Sequence, residues 1–264
     1  MDWADNVFVR NAKLYQLVLE GMWERGEEDA VAISSYLAEN GMKGCKVLDV
    51  PCGIGRVGIP LARLGFGVTG VDISPHLVEE ARRKASAYKV PPASARFVVA
   101  DMRELGSSLE AAAFDAVLNV FTSIGYWSEE DDLRFFREAR TATRRGGLLL
   151  ISGLRNRDYI ARNPSQNVYE ESKKLLVLDT YTFDSSRSRE RGLWRFYLRR
   201  RQDGGEVLKF AGEFPVDIRV YSPHELVSRL EATGWSVKET YESFITRAPA
   251  RSESPVYALV AKAV

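Results

Sequence analysis

The chain has 264 residues, of which 45% are apolar and 28% charged, a globular balance with length enough to bury a core without cross-links. Its net charge of +1 gives no global pull toward nucleic acid or membrane. No apolar run reaches the ~20 residues of a membrane helix, and the opening MDWADNVFVRNAK has no apolar signal segment, so a cytoplasmic location without a membrane partner is expected.

Residues 1–45 read as a helical lid. KLYQLVLEGMW spaces Leu14, Leu17, Val18 and Met22 on one helix face, and DAVAISSYLAENG repeats the pattern to a C-cap at Gly41. Residues 46–152 then change rhythm. KVLDV (46–50), GVTGVD (67–72), ARFVVAD (95–101), FDAVLNVF (114–121) and GGLLLIS (146–152) are short apolar runs with little alternation, the signature of strands buried on both faces. Between them, SPHLVEEARRKASAY starts with Ser74 as N-cap and Pro75 at the first helical position. EEDDLRFFREARTATRRGG runs from acidic to basic, matching the helix dipole. Alternating β and α elements predict a parallel sheet covered on both faces. Cys45 and Cys52 flank the first strand. At ~3.3 Å per residue they lie beyond the ~7 Å that a disulfide allows, so both read as free thiols. With only two histidines in the chain, no metal site is expected.

Residues 153–221 break the pattern. KLLVLDTYTFD, RGLWRFYLRRR and EVLKFAGEFPVDIRVY predict three longer antiparallel strands, with a hairpin turn at DGG, 203–205. Trp194, Phe196 and Leu198 alternate with Arg195, Tyr197 and Arg199, giving one dry and one wet face. This insertion is expected to roof a substrate cleft or to pair two subunits as a homodimer. Over 222–264 the α/β pattern resumes. Ser222 with Glu225 forms a capping box, Leu226 and Leu230 mark a helix face, Gly234 ends it, and SVKETYE and SPVYALVAKA are two last strands.

The loop VLDVPCGIGRVG (47–58) has Gly53, Gly55 and Gly58 at G-x-G-x-x-G spacing. A dinucleotide or S-adenosylmethionine can use such a loop between first strand and first helix. Asp72, 19 residues after Gly53, can accept from both ribose hydroxyls of either ligand. Charge discriminates. If Asp49 faces the ligand, it repels a diphosphate and attracts a sulfonium, by about 4 kcal/mol at ~4 Å and an effective dielectric near 20. The alternative is that Asp49 caps local backbone amides. In VVADMREL, Asp101 can receive an exocyclic amino group and Met102 can cover a flat base.

These motifs resemble those of class I S-adenosylmethionine-dependent methyltransferases, specifically over residues 40–152 and more loosely over 222–264. VLDVPCGIGR is similar to the family's V-L-D-x-G-C-G-x-G-x loop, VTGVDIS to its second motif, ARFVVADMREL to its adenine motif, and TRRGGLLLIS to its L-x-P-G-G turn. Pro51 departs from the usual Gly or Ala and removes one backbone donor. The resemblance implies a doubly wound, seven-stranded, mostly parallel Rossmann-like sheet of α/β class, with the antiparallel β insertion and the N-terminal lid as additions. It implies S-adenosylmethionine as cofactor, with Gly53 and Gly55 at the methionine part, Asp49 and Ile54 among the cofactor-binding residues, Asp72 on the ribose, Ile73 on adenine and Asp101 with Met102 at the adenine edge. Asn119 and Phe121, at the end of the fourth strand, would line the cleft near the methionine. NVFTSIGYW (119–127) resembles the F-x-S-I-G-H loop of sugar-amine N,N-dimethyltransferases, with Tyr126 in place of the histidine. NAKLYQ resembles their A-x-L-Y segment, which puts Tyr15 over the cofactor as a lid. Tyr126 then orients the acceptor, acts weakly as a base, or packs with Trp127 beneath the lid. His76 and His224 fall in first turns of helices and read as surface residues.

The segment 187–201 carries seven arginines opposed by Glu190 alone. With Trp194, Phe196 and Tyr197 it could bind RNA, or it could be a solvated face paired with Glu206, Glu213 and Asp217. The expectation is therefore a methyltransferase acting on nitrogen or oxygen of a small polar acceptor. The alternatives are an RNA or protein methyltransferase using the basic hairpin, and a non-catalytic cofactor-binding protein of the same fold.

Overall fold

A computed structural model describes residues 2–202 and 204–264. A π-helical turn, Asp5–Arg10, leads into α1 (Ala12–Gly21) and α2 (Trp23–Glu39). Helix α2 ends in a Schellman motif. Gly41 sits at φ +73, its amide donates to Ala38, and the Met42 amide donates to Leu37.

The core then alternates β1 (Lys46–Asp49), α3 (Gly58–Arg63), β2 (Gly67–Asp72), α4 (Pro75–Ala87), β3 (Ala95–Val99), a 3-10 turn (Met102–Ser107), β4 (Phe114–Val120), α5 (Glu129–Ala142) and β5 (Thr143–Arg155). An inserted unit that begins with α6 (Arg157–Arg162) follows, and after it come α7 (Pro223–Glu231), β10 (Trp235–Tyr241) and β11 (Val256–Ala263). The strands form one seven-stranded sheet in the order β10-β11-β5-β4-β1-β2-β3, parallel except where β11 runs against both neighbours. β1 is flanked by β2 and β4, so the order reverses there and a cleft opens beyond the carboxyl ends of these strands.

The apolar runs lack alternation because successive residues enter two different cores. Val47, Leu118 and Leu150 pack with Ile33, Leu37, Ile59 and Val78 from α2, α3 and α4. Their chain neighbours Leu48, Val117 and Leu149 pack on the other face with Phe135, Phe136, Leu226 and Leu230 from α5 and α7.

The insertion holds α6 and a four-stranded antiparallel sheet, β6 (Ser165–Glu171), β7 (Leu175–Asp184), β8 (Arg189–Gln202) and β9 (Gly205–Arg219). One strand more is present than the three expected. SQNVYEE is polar and follows a proline, so it offers no strand signal, and backbone pairing with β7 makes it a strand. Of the hairpin turn expected at 203–205, Asp203 lies outside the described residues, and Gly204 sits at φ +81. The dry face of this sheet, including Val177, Phe196, Phe214 and Ile218, meets Val7, Phe8, Tyr15 and Val18 in a third core.

Two local expectations are corrected. Helix α5 stops at Ala142, short of the basic TRRGG. Thr143 is extended and pairs with Phe114, so Arg144 and Arg145 belong to β5. At α7, Ser222 Oγ accepts the Glu225 amide, but the Glu225 carboxylate turns to Arg219, leaving half of the capping box. The full box lies at α5, between Ser128 and Asp131.

Candidate functional site

The loop after β1 begins with a cis Val50–Pro51 bond and folds over the carboxyl end of the sheet. Gly53 at φ +52 is lined up with the lid. A Cβ there would lie 2.8 Å from Leu19 Cδ1 of α1, so α1 packs directly on this loop, and the positive φ itself favours glycine. Below the lid is a cavity of about 90 Å3, bounded by the β1 loop, the ends of β2 to β4 and the N-terminal turn.

Asp72 is the central polar group of this cavity. Its Oδ2 accepts the Gly53 amide and its Oδ1 accepts the Ser74 amide, both at 2.9 Å. Each oxygen keeps a further lone pair for a ligand hydroxyl. Burial pushes its pKa up to about 6, with the two amide donors opposing. Ile73, Met102, Asp101 and Phe121 also line the cavity. Asp101 is held bidentately by Arg103, whose Nε donates to Oδ1 and Nη2 to Oδ2. Burial raises its pKa, but the Arg103 hydrogen bonds and charge outweigh burial and leave it below the ordinary value.

Other expected contacts lie behind this surface. Asp49 is buried at 2% exposure and is not a lining residue. It accepts a backbone hydrogen bond from Gly58 at the start of α3, the amide-capping alternative. Its charge therefore does not meet a ligand directly. Among the described residues, the acids that line the cavity are Asp2, Asp5, Asp72 and Asp101, against one cation, Arg56, and Asp5 and Asp101 are paired with Arg10 and Arg103. Gly55 serves packing. At φ +79, a Cβ there would lie 2.8 Å from Ile59 Cδ1. Ile54 is buried among lid residues. Asn119 is fully buried; its Nδ2 donates to Val50 O and to Ser123 Oγ, and that hydroxyl donates to Met102 Sδ at 3.3 Å. Asn119 thus fixes Met102 from behind instead of touching the cleft.

Arg56 was overlooked in the sequence although it follows the glycine loop directly. Its guanidinium lies 5.1 Å from the Phe121 ring centroid and 3.7 Å from Asp29. It is 5% exposed, and its Nη1 has no hydrogen-bond partner among the described residues. A buried donor of this kind fits a carboxylate. The polar and apolar groups of this lining are compatible with S-adenosylmethionine.

Tyr15, Phe121, Thr122 and Tyr126 form a wall shared with a second, roomier cavity of about 290 Å3 under the inserted sheet. Phe121 and Thr122 both have positive φ, 69° and 34°, a strained backbone at about 1–3 kcal/mol per residue. The Tyr126 ring stacks on Phe8 at 5.2 Å, edge-on to Trp3 at 4.9 Å. Burial, with Arg155 opposing and Asp72 adding, raises the Tyr126 pKa well above 10, so this phenol stays protonated. Tyr15 stacks parallel to Trp194 of β8. Gly125, at φ +90, docks the insertion on this loop. Its carbonyl accepts the Arg219 amide at 2.8 Å, and its amide donates to Asp132.

The remaining notable residues are structural. His76 is 2.7 Å from Gln16 of α1. Cys45 and Cys52 are free thiols, both raised in pKa by burial. Arg189, Arg195 and Arg199 of the basic hairpin pair across strands with Asp217, Glu213 and Glu206. No cluster able to hold a metal exists among the described residues, and no helix is long and apolar enough to cross a membrane.

Comparison with known proteins agrees with this geometry. Residues 47–147 match a family described as a methyltransferase domain. Magnesium-protoporphyrin O-methyltransferase of Synechocystis is 33% identical over 113 residues, which are 43% of this chain and 47% of that protein. The chain spans about half the length of such curated relatives. A solved S-adenosylmethionine-dependent methyltransferase of Clostridium acetobutylicum superposes with a TM-score of 0.75 at 15% identity, covering 89% of this chain and 91% of the other. CalS10 of Micromonospora echinaspora, an amino pentose methyltransferase solved with S-adenosylmethionine bound, gives 0.70 at 16% identity over 95% and 96%. At these identities the structures establish a shared fold.

Proposed function

We propose, from a chain whose residues 47–147 match a methyltransferase domain, that the protein is a class I S-adenosylmethionine-dependent methyltransferase and transfers a methyl group to nitrogen or oxygen of a small polar molecule. The observation that carries this reading is the pair of cavities with one common wall, Tyr15, Phe121, Thr122 and Tyr126. S-adenosylmethionine, when bound, supplies an already activated methyl group. The chain's own task is then to hold an acceptor across that wall and to keep water away. The aromatic cluster Trp3, Phe8, Tyr15, Tyr126 and Trp194 serves exclusion, and Tyr126, as a protonated donor, serves orientation. The CalS10 neighbour, whose name specifies an amino pentose, supports a small acceptor. The basic hairpin supports an RNA acceptor less, because several of its arginines are engaged across strands.

Calorimetry tests the cofactor half of this reading. S-adenosylhomocysteine is expected to bind saturably and NADH to give no heat; the reverse overturns it. Release of S-adenosylhomocysteine on addition of small amines or alcohols tests the transfer half.

A further inference from the structure

The second cavity is walled by apolar and aromatic side chains, yet three charged residues line it, Arg155, Asp179 and Glu190. Arg155, at the end of β5, donates from Nη2 to Asp179 Oδ2 at 3.0 Å and from Nη1 to Glu190 Oε2 at 2.9 Å. Both carboxylates stand on the dry face of the inserted sheet, Asp179 at 7% exposure and Glu190 at 2%. Asp179 Oδ1 and Glu190 Oε1 are buried and have no hydrogen-bond partner among the described residues.

One guanidinium between two carboxylates leaves the group one negative charge in excess. Each unpartnered oxygen of a buried carboxylate is an acceptor awaiting a donor, and two of them in one chamber ask for a group with several N–H donors and a positive charge. The aromatic walls, including Tyr15, Tyr159 and Trp194, favour a cation over a neutral group through their ring faces. An anionic acceptor meets the opposite conditions. Arg155 spends one N–H of each terminal nitrogen on the two carboxylates, and a phosphate or carboxylate would face their unpartnered oxygens. Burial pushes Glu190 above the ordinary carboxylate range with Arg155 opposing; an incoming ammonium adds to the side of Arg155.

The geometry points to Asp179 and Glu190, held in place by Arg155, as an acceptor-recognition site that selects a small cationic amine bearing no phosphate or carboxylate. This deepens the methyltransferase reading and rests on it for the word acceptor. It assigns recognition to the inserted sheet, while the parallel core handles the cofactor.

The test uses matched probes of equal shape: cyclohexylammonium, cyclohexanol and cyclohexanecarboxylate, with ethanolammonium, ethylene glycol and glycolate as a smaller set. Binding is measured by ligand-observed NMR and calorimetry on the intact protein, alone and saturated with S-adenosylhomocysteine. In at least one set, the ammonium member is expected to bind about tenfold or more tightly than its neutral and anionic counterparts. Glu190→Gln and Asp179→Asn are each expected to remove most of that preference while leaving S-adenosylhomocysteine affinity within about twofold, since neither touches the first cavity. Absence of an ammonium preference in both sets, whether through equal affinity, preference for the anion or no ammonium binding, or a preference surviving both substitutions overturns the proposal. The wild-type comparison stands without the variants if either fails to fold. Failure of S-adenosylhomocysteine to bind counts against the methyltransferase reading instead, and ammonium preference in the protein alone still judges the subsite.

Discussion

Asp72 shows what a single side chain must satisfy here. It closes the glycine loop through the Gly53 amide and starts α4 through the Ser74 amide, while offering its remaining lone pairs to the cavity. Asp72→Ala is expected to lower S-adenosylhomocysteine affinity about 10- to 100-fold, the worth of hydrogen bonds to a charged acceptor at ~1.5–3 kcal/mol. Unchanged affinity by calorimetry would remove Asp72 from the ribose. Its place was legible in the sequence because it ends a buried strand at a fixed distance from the loop. Asp49 was not legible in the same way. An acid at a strand end can face a ligand or a helix amide, and only the path of the backbone toward Gly58 decides. Asp179 did leave a trace. It shares the period-2 register of Leu175, Val177 and Tyr181, so a charge stood on a dry face, where burial without a partner is expensive. The partner Arg155 is 24 residues away in sequence, beyond the reach of periodicity.

Among elements, the inserted sheet depends on one close approach. A Cβ at Gly125 would lie 2.0 Å from the Arg219 carbonyl oxygen at the end of β9, and the residue already has φ +90. Gly125→Ala therefore combines a left-handed backbone with overpacking, each on the order of 1–3 kcal/mol. We expect a fall in Tm and a larger loss of turnover than of cofactor binding, because the second cavity shifts against the first. Equal losses in thermal melts and calorimetry would show that Gly125 serves the whole fold alike. The core strands could be read from their apolar runs, since burial on two faces writes itself into composition. β6 could not, because a polar strand paired through its backbone to β7 has no compositional mark. The overlong reading of α5 has a similar cause: Thr143 to Arg145 are acceptable in a helix, and pairing with β4 overrides that preference.

For the molecule as a whole, near-neutral net charge conceals local excesses of negative charge. Buried acids bear on stability as well as on binding. Burial raises Asp49 to about 7, Asp72 to about 6 and Asp132 to about 6 from the ordinary 3.8. The folded state therefore binds these protons more tightly than the unfolded chain. Their contribution is fully present below about pH 4 and is lost as pH rises through about 6 to 7. The Tm of the ligand-free protein is expected to fall between pH 5 and pH 8, and Asp49→Asn to flatten that fall; a Tm rising over the same interval would contradict it. A last consequence belongs to the four residues that both chambers own. Two guests that press on Tyr15, Phe121, Thr122 and Tyr126 from opposite sides cannot be indifferent to each other. Thermodynamic linkage makes the effect mutual, so whatever factor the donor imposes on the acceptor's affinity, the acceptor returns in full.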